Sequence, residues 1–147
     1  MPKNIIEKKL KGLKKKIMAK STDNFLELLL LGMDLAFMGM KDYRESNLGK
    51  KKTGYFKAIY VFRTKDEKER IAASAIFKKG RMERSNKAEK KWDVRVTFTD
   101  GAALRDFLLS LDHDVLNSVL KNKVEVEGNL NYIYKFGFMA EDLLNRI

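Results

Sequence analysis

The one histidine, His113, stands between Asp112 and Asp114, and an imidazole flanked by carboxylates has the makings of a general base. Nothing else in the chain completes a catalytic set around it. His113 also falls at the junction of two Leu- and Val-rich helical segments, where Asp and His are common capping residues, so the structural role is the expected one. With no cysteine and no second histidine, the sequence offers no cluster of the kind that holds zinc. It contains no Gly-x-Ser-x-Gly, no Walker-type loop and no Gly-rich dinucleotide fingerprint. No catalytic residue, metal or cofactor is expected. The lack of cysteine also removes disulfides and thiol chemistry, which makes an intracellular, cytoplasmic protein the simplest expectation.

The chemistry present in excess is basic. Across 147 residues, 31 Lys and Arg stand against 20 Asp and Glu, a formal charge of +11. The excess lies in residues 3–20 and 50–91, and it points to an anionic partner. Ile6, Leu10, Leu13 and Ile17 recur on one helical face with Lys8, Lys9, Lys11, Lys14, Lys15 and Lys16 around them. Residues 1–20 are therefore expected to form a basic amphipathic helix ahead of a domain at 21–147. Such a helix suits an anionic membrane surface, or it docks its narrow stripe on the domain and solvates the rest. A second group, Arg63, Lys65, Lys68, Arg70, Lys78, Lys79, Arg81 and Arg84, follows one hairpin, with Lys50, Lys51 and Lys52 nearby. A basic sheet with Tyr55, Tyr60 or Trp92 for stacking could track a nucleic acid. Asp66, Glu67, Glu69, Glu83 and Glu89 interrupt the run, the aromatics fall at core positions, and no nucleic-acid motif is present.

These residues need elements to position them. Trp92, Val94, Val96 and Phe98 alternate with Asp93, Arg95 and Thr97, the pattern of a half-buried strand. Leu104, Phe107, Leu108 and Leu111 then recur at helical spacing, with Thr99 or Asp100 placed to cap the start. Val115, Leu116, Val119 and Leu120 repeat that spacing on a shorter helix. Val124 to Glu127 alternate again, Gly128 ends the strand, and Asn129 can cap a last helix with Leu130, Ile133, Tyr134, Gly137 and Phe138 on one side. Upstream, residues 25–40 are apolar nearly all round and predict a buried helix. Glu27 and Asp34 interrupt it, and it is shorter than the roughly 20 residues of a membrane span. Residues 47–54 read as a loop. Residues 55–64 are apolar on both faces, as a central strand requires; residues 71–77 return as its partner, and 80–84 as a third short strand. The sum is an α+β fold of about five strands with helices on one face. Ala72, Ala73, Ser74 and Ala75 supply little volume where a core wants Val or Leu, so either aromatics opposite fill the space or a ligand does.

The succession over the last third of the chain resembles the sterol carrier protein 2 (SCP-2) family of lipid-binding domains. The resemblance rests on Val94-Arg-Val-Thr-Phe-Thr-Asp100, the Leu-rich helix at 104–111, the second helix at 115–120, Lys123-Val-Glu-Val-Glu-Gly-Asn129 and the apolar closing helix at 130–144. It departs at Asn122, where the family usually has Gly; Asn tolerates a left-handed turn better than other residues with a side chain. The resemblance implies an apolar tunnel between sheet and helices, and non-catalytic binding or carriage of a lipid, sterol or acyl chain. Its floor would come from Phe56, Ala58, Tyr60, Phe62, Ala73 and Ala75, and its roof from Leu104, Phe107, Leu108, Leu111, Leu116, Val119 and Leu120. Phe136, Phe138 and Met139 would close the mouth. The alternatives are nucleic-acid binding through the basic hairpin and an accessory protein-interaction role, since fold alone does not set function.

Overall fold

The computed structural model describes residues 2–18, 25–65, 72–109 and 122–147. Helices α1 (Pro2–Met18), α2 (Phe25–Gly39) and α3 (Lys41–Leu48) come first, followed by a small ribbon of β1 (Gly49–Lys50) and β2 (Gly54–Tyr55). Then come β3 (Ala58–Thr64), β4 (Ala72–Lys78), β5 (Arg81–Ser85), β6 (Val94–Phe98), α4 (Gly101–Leu109), β7 (Val124–Gly128) and α5 (Leu130–Arg146). The main sheet runs β5-β4-β3-β6-β7. Its β3–β6 pair is parallel and the other pairs are antiparallel. The architecture is α+β, with five helices and a five-stranded mixed sheet among the described residues.

β3 is apolar on both sides because both sides are covered. Register aligns Tyr60 with Ala75 and Val94, and Phe62 with Ala73 and Val96, so these residues share the helix-facing side. On the other side Val61 pairs with Ser74, and both are fully buried. Their cover is the 86–93 segment, which carries the chain from edge strand β5 over the open face to β6. Ser74 Oγ pins it, donating to the Lys87 carbonyl at 2.6 Å and accepting from the Glu89 N–H at 3.0 Å. A parallel pair needs such a crossover. Asp93 completes it: its N–H donates to the Ile59 carbonyl at 2.9 Å, and its Oδ2 accepts from the Ile59 N–H at 2.7 Å.

The junctions explain the local sequence. Asp100, of the two candidate caps, accepts from the Ala103 N–H at 2.8 Å, and Asn129 accepts from the Asn131 N–H at 2.9 Å; each satisfies an otherwise orphaned first-turn donor. Asn122 is left-handed, with φ of 58°, as its place before Lys123 predicts. Gly128 has φ of 101°, and a Cβ there would collide with the Asp93 carbonyl oxygen, so the turn and the close approach both demand glycine.

Several expectations are corrected. Trp92 does not continue the inward row of β6: its ring lies 4.8 Å from the Arg95 guanidinium, a residue of the opposite face. Residues 47–54 are not all loop, since β1 and β2 pair antiparallel and the end of α3 reaches Leu48. On α5 the buried stripe is Ile133, Phe136, Gly137, Met139, Ala140, Leu143 and Leu144, whereas Leu130, Tyr134 and Phe138 are exposed.

α1 packs its stripe on the body. Leu10 and Ile17 are fully buried, Ile6 and Leu13 pack against the same core, and Lys14 Nζ donates to the Ile147 carbonyl at 3.4 Å. Burying two such side chains is worth on the order of 3–6 kcal/mol, enough to hold the helix down. Lys8, Lys9, Lys11, Lys15 and Lys16 face outward. Among the described residues no helix is long and apolar enough to cross a membrane.

Candidate functional site

The space between sheet and helices is filled by rings. Phe136 of α5 lies with its centroid 5.1 Å from both Tyr60 and Phe62, Phe77 stands edge-on to Tyr60 at 5.5 Å, and Phe37 of α2 meets Phe77 at 6.1 Å. Phe56 closes one side, 5.6 Å from Phe77 and 5.8 Å from Tyr132, with the Lys135 ammonium 5.4 Å above its ring; burial lowers the pKa of that amine. The Tyr60 hydroxyl donates to the Tyr132 carbonyl at 2.6 Å, and the Tyr43 hydroxyl to the Met139 carbonyl at 2.7 Å. Burial pushes both phenols up. These two bonds fasten α5 to the sheet on one side and to α3 on the other.

The predicted floor residues Ala58, Tyr60, Phe62 and Ala75 are fully buried together, and Phe56 and Ala73 are partly buried against them. Leu104, Phe107 and Leu108 cover the same core from α4. Leu111, Leu116, Val119, Leu120 and His113 lie outside the described residues. Of the three residues predicted at the mouth, Phe136 sits at the centre of the ring cluster, Met139 is fully buried, and Phe138 is 60% exposed.

Space remains where the small residues of β4 meet α2. A cleft of about 310 Å3 is lined by Leu26, Leu30, Ala72 and Ala73, with Glu27, Arg84, Ser85 and Asn86 completing it. Arg84 is held at its side by Asp34, Nε to Oδ2 3.0 Å. The run of alanines signalled this space; Leu26 and Leu30, its other wall, were not singled out because the whole of α2 reads as apolar.

The outer face of the sheet is a charge ladder. Glu127 receives a two-pronged contact from Arg95, 2.7 Å to each oxygen, and Arg63 reaches Thr97 Oγ1 at 3.1 Å. Lys65 pairs with Glu125 at 3.1 Å and Lys78 with Glu83 at 3.7 Å. Much of the basic hairpin is thus neutralised by its neighbours. Among the described residues no group of acids and histidines could hold a metal.

No family model matches the sequence, and no curated protein matches it. Solved structures do. The apo form of sterol carrier protein 2 from Yarrowia lipolytica superposes with a TM-score of 0.53 at 16% identity, over 87% of this chain and 96% of that one. The chain has the SCP-2 fold. A UbiJ-SCP2 ubiquinone synthesis protein is similar at a TM-score of 0.51 and 17% identity, over 81% of this chain and 98% of its own. A sec-alkyl sulfatase matches at 0.50 and 15% identity over 79% of this chain, but only 16% of the sulfatase is covered. The SCP-2 fold therefore also makes up a small share of an enzyme chain. Likeness at these identities fixes the fold, and function has to be argued from the site.

Proposed function

We propose that this SCP-2-fold chain binds a lipid or acyl chain and does not transform it, seating the apolar tail between α2 and β4. The observation that carries the reading is the cleft of about 310 Å3 that Leu26 and Leu30 line from α2 and Ala72 and Ala73 line from β4. Ligand sites are mostly apolar clefts of about 300–1,000 Å3 with a few polar groups to set orientation. Arg84, Asn86, Ser85 and Glu27 supply that polar part. Because rings fill the interior and the cleft is at the small end of the range, a slender acyl chain suits it better than a bulky ring system. The likeness to a sterol carrier protein supports carriage of an apolar ligand.

Loading from an anionic membrane surface fits the outward lysines of α1, Lys8, Lys9, Lys11, Lys15 and Lys16, each worth about 1 kcal/mol near such a bilayer. With the apolar stripe docked, that contact is electrostatic and weakens with salt. The test of the ligand reading is titration with a fluorescent long-chain fatty acid. Wild type is expected to bind saturably with one site, and Ala73→Leu, which fills the cleft, to lose about tenfold in affinity, a 1.4 kcal/mol effect, without losing its cooperative melt. Absence of saturable binding across a broad lipid panel, or unchanged affinity in Ala73→Leu, contradicts it.

A further inference from the structure

The far end of the β4–β5 hairpin carries a second cleft, of about 480 Å3, lined by Arg44, Glu45, Gly49, Lys50, Lys51, Lys52, Tyr55, Lys79 and Gly80. Its charge is lopsided: five cations face one carboxylate, and Glu45 is already engaged by Lys41 at 3.7 Å and Lys50 at 3.3 Å. Lys51, Lys52 and Lys79 are exposed, and no ion pair holds any of the three among the described residues. Arg44 is oriented from within, its Nη1 donating to the Phe37 carbonyl at 3.1 Å, which leaves its other N–H groups for an acceptor in the cleft. The hairpin tip is shaped for this. Lys79 and Gly80 both have positive φ, 53° and 75°, the type I′ arrangement that usually takes Asn-Gly, so a lysine stands where the backbone favours asparagine. Tyr55 lies over Gly80, where a Cβ would come within 2.9 Å of its Cε1, and the ring remains 42% exposed.

We infer that this cleft binds a phosphate ester carrying two or more negative charges, with Arg44, Lys51, Lys52 and Lys79 contacting the oxygens and the Tyr55 ring packing against the ester's organic part. Phosphate oxygens suit the forked donors of arginine and the point charges of lysine. A cleft of this size holds a small ester, free in solution or as a lipid headgroup, and among the described residues the ion pairs of Arg63, Lys65, Lys78 and Arg84 interrupt the basic hairpin as a track for a nucleic acid. The cleft is independent of the proposed acyl-chain site: Ala73 and Lys79 are separated by about 20 Å of strand at some 3.3 Å per residue.

Calorimetry with inorganic pyrophosphate tests the cleft. Wild type is expected to bind one equivalent, and the double variant Lys51→Gln/Lys79→Asn to bind about tenfold or more weakly, since charged hydrogen bonds are lost. Lys79→Asn retains a residue that the turn prefers, so the hairpin should persist, and an unchanged melt would verify it. The control Lys90→Gln/Lys91→Gln removes the same charge from the exposed 86–93 segment and is expected to bind as wild type does. Equal weakening in both double variants, or no saturation, overturns the inference. Vesicles of phosphatidylcholine with phosphatidic acid separate the two sources. Vesicle binding displaced by pyrophosphate and lost in Lys51→Gln/Lys79→Asn assigns a headgroup, and pyrophosphate binding without it assigns a soluble ester. Duplex DNA or single-stranded RNA binding far more tightly than pyrophosphate, and depending on the same residues, overturns the inference in favour of nucleic acid.

Discussion

Phe136→Ala probes whether the space between sheet and helices is solid. The ring is fully buried and touches two others, Tyr60 and Phe62, at 5.1 Å. Truncating a buried Phe costs about 3–5 kcal/mol, and each aromatic pair adds about 0.5–1.5 kcal/mol beyond the area buried, so the upper half of that range is expected. A domain has only about 5–15 kcal/mol of stability in all. Urea unfolding, with a slope of about 2 kcal/mol/M, would then show a midpoint lowered by roughly 2 M. A loss below about 1.5 kcal/mol would mean that the ring borders open space, and the reading of this region as close-packed core would be wrong. Uptake of a small apolar probe such as benzene by the variant and not by the wild type would mark the cavity directly.

Further outcomes are expected. Tyr43 and Tyr60 are held protonated by burial, whereas unfolded tyrosines ionise near pH 10; the unfolded form then binds fewer protons, so stability present below about pH 10 is lost as pH rises, by about 1.4 kcal/mol per pH unit for each. Tyr43→Phe should flatten that alkaline decline, and an unchanged slope in pH-resolved denaturation would show that the phenol is not shielded. Asn129→Ala should cost about 1 kcal/mol through loss of the α5 cap, while Asn122→Gly should be neutral or stabilising and Asn122→Val should cost about 1–2 kcal/mol at the left-handed turn; denaturant midpoints check all three.

The sheet was legible wherever polar and apolar residues alternate. Val94, Val96 and Phe98 against Arg95 and Thr97, and Val124 and Val126 against Glu125 and Glu127, both keep their predicted faces because the pleat allows no other arrangement. β3 was legible as central because both its faces are apolar. Trp92 broke the pattern because the strand starts two residues later, at Val94, and its ring found a guanidinium instead of the core. The α5 face was misread because Leu130, Tyr134 and Phe138 are spaced by four; each such step advances a helix of about 3.6 residues per turn by some 40°, which carries Phe138 off the buried stripe. α3 was missed because its charged sequence hides three inward residues, Tyr43, Asn47 and Leu48. The alanines of β4 announced a shortage of volume, but only the register, which sets Ala73 against Phe62 and Ala75 against Tyr60, shows that rings take up most of it and that the remainder opens beside α2.

The measurement that bears most directly on the ligand reading is an NMR titration of the isotopically labelled protein with oleate. Saturable shifts are expected, centred on Leu26, Leu30, Ala72, Ala73, Ser85 and Asn86, with ligand-to-protein Overhauser contacts to the methyl groups of Leu26, Leu30 and Ala73. Shifts confined to the ring cluster around Phe136, or a spectrum unmoved at saturating oleate, would contradict it.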